Sequence, residues 1–235
     1  MTQGSEAAGS VDVVYLLDLD NSLLDSDRIE ADLRQHLDHE FSVSSNEHFW
    51  SALETLRAET GFVDYLGAMH RYRGELERSG MDAQRLLATS AFLIDYPYDK
   101  CLYPGSLSLI RHLDQSGRTV IFTDGDMTLQ PLKIRRSGLW DAVGGRVLVH
   151  LHKELMLDNV KRLYPARHYV AIDDELRILA EMKEHWQHEL TTVFLRQGRL
   201  AADPQTINTL RPSDFMVESL DELIAFDPTR LIPAS

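Results

Sequence analysis

Asp18 and Asp20 stand one residue apart at the end of a short apolar run, Val11 to Leu17, in the stretch VDVVYLLDLDNSLL. Two carboxylates this close repel each other, and the arrangement is costly unless a cation neutralises it. The spacing asks for a divalent metal. Three further clusters share that character. Thr123-Asp124-Gly125 follows the apolar Thr119 to Phe122, and a hydroxyl beside a glycine turn that exposes backbone N–H groups suits phosphate oxygens. Lys153 follows a third apolar run; a lysine beside acids can neutralise an anionic nucleophile and a phosphate together. Asp173-Asp174-Glu175 follows Tyr169-Val170-Ala171-Ile172, and this second carboxylate cluster would complete an oxygen-rich shell for magnesium. Singly, each pattern is common in turns and helix starts. All of them at the ends of successive apolar runs is not.

The elements that must position these residues follow from periodicity. Val11 to Leu17 is too short for a helix and reads as a strand buried on both faces. Further strands are expected over 119–122, 146–150, 168–172, 190–195 and 215–217, alternating with helices over 106–115, 130–137, 154–163, 175–187 and 220–226. Such alternation means right-handed crossovers and a parallel sheet, whose ligands sit beyond the carboxyl ends of the strands. The stretch from Asp25 to about Asp95 differs. Apolar residues recur there at helical spacing over 28–41, 46–59, 63–78 and 82–94, with Phe49, Trp50, Leu53, Leu56, Phe62, Tyr65 and Leu66 as its expected core. Two proline turns, Tyr96-Pro97-Tyr98 and Tyr103-Pro104-Gly105, return the chain. The expected architecture is a Rossmann-like α/β domain of residues 11–24 and 97–235, with helices on both faces of a parallel sheet. An all-helical domain of residues 25–96 interrupts it, and residues 1–10 form a polar tail.

Composition sets bounds on function. With 24 basic and 37 acidic side chains, the formal charge of -13 argues against a nucleic-acid footprint or a polybasic membrane anchor. No apolar stretch reaches membrane-spanning length, and the first ten residues lack the charge and apolar run of a signal peptide. The single cysteine, Cys101, excludes an intrachain disulfide and fits a reducing compartment. A cytoplasmic location is the expectation.

The order Asp18-Leu19-Asp20, Thr123, Lys153, Asp173-Asp174 resembles the four motifs of the haloacid dehalogenase (HAD) superfamily, over nearly the whole chain. The helical stretch corresponds to that family's mobile cap. Asn21, Asp124 and Ile172 stand where the family more often has Gly, Asn and Gly; Asn21 tolerates a left-handed backbone, so the turn survives. The competing lysine, Lys161, falls mid-helix. The resemblance implies that Asp18 is a nucleophile forming an aspartyl-phosphate that water hydrolyses. Asp20 would be the general acid and then the base, with its backbone carbonyl on the metal. Thr123 with the Asp124–Gly125 turn would hold phosphoryl oxygens, Lys153 would balance charge, and Asp173 with Asp174 would complete the magnesium shell.

The family's dehalogenases lack the second acid, because a halide needs no proton on leaving. Asp20 therefore points to a magnesium-dependent phosphatase acting on a small phosphorylated metabolite. A sugar-phosphate mutase would use the same residues, and a catalytically idle phosphate-binding protein is a further alternative. Motif order argues strongly against a receiver domain, since there the acidic pair comes first and the lysine last. Arg28, His70, Arg71 and Arg73 are candidates for substrate contact from the helical stretch. Sugar phosphates, phosphoglycolate and nucleoside monophosphates all stay open as substrates, and so does the oligomeric state.

Overall fold

A computed structural model describes residues 11–41, 43–79, 85–202 and 212–232. The expected N-terminal tail lies outside them.

Six strands form one parallel sheet: β1 (Val11–Leu17), β2 (Arg118–Asp124), β3 (Val147–His150), β4 (Ala166–Asp173), β5 (Leu190–Leu195) and β6 (Phe215–Val217), in the order β3-β2-β1-β4-β5-β6. β1 lies at the centre because it is apolar on both faces. Tyr15 and Leu17 join one core cluster, with Ile121, Ile172 and Val193; Val14 and Leu16 join another, with Val120, Tyr169 and Phe194. Successive side chains alternate faces, so one strand serves both layers. The register pairs Leu17 with Ile121 of β2 and with Ile172 of β4. Asp18 and Asp173 therefore emerge at the same level, with Thr123 one residue further along β2, where the strand order reverses about β1.

Helices α5 (Ser106–Leu113), α6 (Leu129–Arg136), α7 (Leu139–Ala142), α8 (Leu157–Leu163), α9 (Leu176–Trp186) and α10 (Gly198–Ala201) lie between strands, and α11 (Leu220–Ala225) follows β6. Four earlier helices, α1 (Ser26–Glu40), α2 (Val43–Thr60), α3 (Tyr65–Ser79) and α4 (Arg85–Asp95), fill the stretch between β1 and the return at Tyr98. Among the described residues this stretch contains no strand. Its own cluster unites Leu33, Leu37, Phe49, Leu53, Tyr65, Tyr72 and Leu93. Leu56 is buried too, whereas Trp50, Leu66 and Phe62 are only half-buried. The expected helix at 154–163 is broken: a 3-10 turn at Lys153–Leu155 precedes α8. No described helix is long and apolar enough to cross a membrane. Cys101 is buried.

The chain enters α1 through a turn in which Asn21 has φ 58, a left-handed conformation that asparagine tolerates. The Asn21 Oδ1 accepts the backbone N–H groups of Ser26 and Asp27, both at 3.0 Å, which satisfies donors at the helix start.

At the entrance to β2, Gly117 presses against β1. A Cβ there would lie 2.7 Å from the Val13 carbonyl oxygen and 2.7 Å from Tyr15 Cε2. The first neighbour is backbone and cannot step aside. Gly117→Ala is expected to lower the unfolding free energy by about 1–3 kcal/mol, read from the urea midpoint; an unchanged midpoint would mean that β1 and the turn separate freely.

Candidate active site

The carboxyl ends of β1, β2 and β4 bring the predicted residues into one cavity of about 140 Å³, lined by Asp18, Asp20, Thr123, Asp124, Lys153, Asp173 and Asp174. At its floor, Lys153 Nζ donates to Asp18 Oδ1 at 2.6 Å and lies 2.6 Å from Asp173 Oδ2. All three side chains are buried. The 3-10 turn places the lysine, and Asp124 fixes the turn by accepting the Lys153 backbone N–H at 2.6 Å. Lys161 is elsewhere, paired with Glu189 and lying over the Trp186 ring.

Burial pushes the Asp18 carboxyl up to about 7, with Lys153 opposing and Asp173 reinforcing the rise. Burial likewise raises Asp173, against Lys153. For Lys153 itself, burial disfavours the charge, but Asp173, Asp18 and Asp124 outweigh it and hold the ammonium well above its usual range. One ammonium thus serves several acids, and the site carries more negative charge than it neutralises.

Asp174 makes the imbalance plain. It is 5% exposed, and it has no hydrogen bond or ion pair with any described residue. Burial, then Asp18 and Asp173, drive its carboxyl well above the ordinary range. Oxygens of Asp18, Asp173 and Asp174 lie within 4.8 Å of one another. A hard divalent cation wants such an all-oxygen set, and these residues fit one.

Asp20 has a different environment. Its carboxylate is not part of that trio. Lys133 Nζ lies 2.8 Å from Oδ1, the Ser26 hydroxyl donates to the same oxygen, and Gln130 Nε2 donates to Oδ2 at 2.5 Å. Burial alone would raise this carboxyl, yet Lys133 and these hydrogen bonds bring it below its usual range. Gln130 also donates to Thr123 Oγ1 at 2.9 Å and to the Asp124 carbonyl at 2.9 Å, tying the ends of β1 and β2 together. Gln130, Lys133 and Ser26 went unmarked in the sequence. The available signal was a polar pair three residues apart, one helical face, just after the Thr123 turn.

Two expected phosphate donors need revision. The Gly125 N–H is engaged with the His150 carbonyl at 2.9 Å, so it is not free for an anion. The Asp124 carboxyl, pushed by burial up to about 7, braces Lys153. Thr123 Oγ1, 2.9 Å from Gln130, lines the cavity as expected.

The roof comes from the helical stretch: Arg57, Gly61, Phe62, Val63 and Tyr65. Gly61, with φ +84, ends α2 by donating its N–H to the Arg57 carbonyl at 2.8 Å, a left-handed helix stop. A Cβ on it would meet His152 Cε1 at 2.6 Å, so this turn rests directly on the loop that carries Lys153. Arg28 donates to the Lys100 backbone carbonyl instead, and Arg71 and Arg73 pair with Glu59 and Glu77. None of them, nor His70, lines the cavity.

No protein-family model matches the chain, and no curated protein matches it by sequence. Solved structures do. A haloacid dehalogenase-like hydrolase of Burkholderia xenovorans LB400 is 54% identical, covers 92% of this chain and 99% of its own, and superposes with a TM-score of 0.87. The HAD-hydrolase YfnB of Bacillus subtilis, solved with magnesium, is 18% identical over 91% of this chain and 97% of its own, with a TM-score of 0.58. An L-2-haloacid dehalogenase of Xanthobacter autotrophicus is 16% identical over 91% and 96%, with a TM-score of 0.55. The last two share the fold.

The charge imbalance sets a pH dependence. Asp18 and Asp174 both bind more protons folded than unfolded, and for Asp18 that window runs from roughly pH 4 to about 7. Stability of the metal-free protein therefore falls as pH rises through that window. Asp174→Asn should raise the metal-free melting temperature at pH 8 by about 2–4 °C and abolish most of the rise that magnesium gives the wild type. A lower melting temperature in the variant would remove the cation-site reading.

Proposed function

The chain belongs to the haloacid dehalogenase-like hydrolases, and within that family we propose a magnesium-dependent phosphatase that acts on a small phosphate monoester. The observation that carries the reading is Asp20, a second acid beside Asp18 in the same cavity, which a halide-displacing enzyme does not need.

In this reading Asp18 attacks phosphorus in line and becomes an aspartyl-phosphate, breaking the bond to the leaving oxygen. Asp20 gives that oxygen a proton, then takes one from the water that attacks the intermediate. Its contacts with Lys133, Ser26 and Gln130 favour the ionised, water-activating form. A phosphate dianion entering beside it adds like charge, which raises its proton affinity for the first step. Lys153 holds Asp18 in place and offsets charge on the phosphoryl oxygens, and the Thr123 hydroxyl donates to one of them. Asp18, Asp173, Asp174 and the backbone carbonyl of Asp20 would hold magnesium, which supplies positive charge for the transferring group. The helical stretch acts as a cap that excludes water and selects the ester.

Phosphate release from a panel of small monoesters, with magnesium and with chelator, tests this. Turnover should require magnesium and fall by at least about 1,000-fold in Asp18→Asn. Halide release from 2-halo acids without phosphate release from any ester would replace the phosphatase with a dehalogenase.

A further inference from the structure

Among the described residues, five cationic side chains line the cavity: Arg57, Lys133, Lys153, Arg177 and Arg199. Four have carboxylate partners. Lys133 pairs with Asp20 at 2.8 Å, Lys153 with Asp18 at 2.6 Å, Arg177 with Glu181 at 3.0 Å, and Arg199 with Glu30 at 3.5 Å. Arg57 has no ion pair and no hydrogen bond with any described residue, although it is half-buried. A guanidinium taken partly out of water and left without acceptors is unfavourable unless something else provides them.

Tyr65 lies on the same roof. It is 6% exposed and lines the cavity, and no described residue accepts its hydroxyl proton. Burial, then the charges of Glu30 and Asp20, hold its phenol above the usual range, while Arg57 works the other way. The hydroxyl thus feels the charges of both Arg57 and Asp20, and it stays a neutral donor. An unpartnered guanidinium and an unpartnered O–H, opposite a floor of carboxylates, match an anion at the far end of the substrate.

Size narrows the class. About 140 Å³ holds on the order of ten water-sized positions. A phosphoryl group with two or three carbons and a carboxylate fills that space. A guanidinium fork also matches a planar carboxylate in two parallel hydrogen bonds.

We propose that the substrate is a short-chain carboxylic acid bearing a phosphate ester, with Arg57 and Tyr65 binding its carboxylate while the phosphoryl group meets Asp18. The proposal rests on the phosphatase reading and gives that site its substrate class. It also explains the helix stop at Gly61, which turns the chain back over the cavity directly after Arg57.

Two matched pairs of probes separate this inference from the reading beneath it. Phosphoglycolate and ethyl phosphate differ in the carboxylate and measure turnover; phosphonoacetate and ethylphosphonate differ likewise, cannot be hydrolysed, and measure binding by calorimetry with magnesium. The wild type should favour the carboxylated member of each pair by about 30-fold or more. Arg57→Ala should shrink both preferences to within about threefold, Arg57→Lys should restore part of them, and Tyr65→Phe should fall between. Equal handling of the pair by the wild type, or equal losses on both members in Arg57→Ala, would overturn the proposal. An Arg57-dependent preference for phosphonoacetate without turnover of any ester would keep the carboxylate subsite and overturn the phosphatase.

Discussion

A single buried ammonium holds the site together. Lys153 lies between Asp18 and Asp173, two carboxylates brought side by side by adjacent central strands. Buried charges are tolerated only when paired, and removing one partner of such a pair costs about 3–5 kcal/mol. That constraint reaches far into the fold. It requires β1 and β4 in their observed register, Asp18 N–H donating to the Ile172 carbonyl at 3.0 Å, and a 3-10 turn instead of a continuous helix at Lys153. It also requires Asp124 as the brace for that turn.

A second ion pair, Lys133 with Asp20, sits beside the first, and there the cation, with hydrogen bonds, outweighs burial where Lys153 does not. Only Leu19 separates Asp18 from Asp20, yet burial raises one while Lys133, Gln130 and Ser26 lower the other. Environments that push two neighbouring carboxyls apart give them separate chemical roles. Here α6 makes the division, because Gln130 and Lys133 sit a helical step apart and reach across to β1. The same helix thus packs Ile134 into the core and sets the charge of a residue more than a hundred positions earlier.

The strands and the residues at their ends were legible because period and polarity change together there. A buried strand is a run of apolar side chains, and whatever follows it at its carboxyl end faces the crevice. Lys153 was separable from Lys161 on the same logic, by distance from a strand end. Side chains that enter from helices were not legible in this way. Gln130, Lys133, Ser26, Arg57 and Tyr65 lie in amphipathic stretches where a polar residue facing a cavity looks like one facing solvent. Arg28, Arg71 and Arg73 were the more conspicuous charges, and each has an ordinary surface or backbone partner. Tyr65 was marked as core, correctly for its ring and silently for its hydroxyl. The Gly125 turn misled for a related reason: its sequence suits an anion cradle, but sheet pairing with β3 engages its N–H.

Floor and roof differ in how they are built, and the difference bears on what each can do. The floor hangs on a six-stranded sheet with both faces covered, so its carboxylates keep their spacing whatever occupies the cavity. The roof depends on one local event, the left-handed stop at Gly61, and on its contact with His152. Electrostatics links the two. A floor with surplus negative charge attracts cations and repels anions, so an anionic substrate needs a compensating positive group that the floor's own acids have not already claimed. Lys133 and Lys153 are claimed. Arg57, carried by the roof, is not, so a second anionic group on a substrate would meet an unclaimed cation only where roof and floor come together.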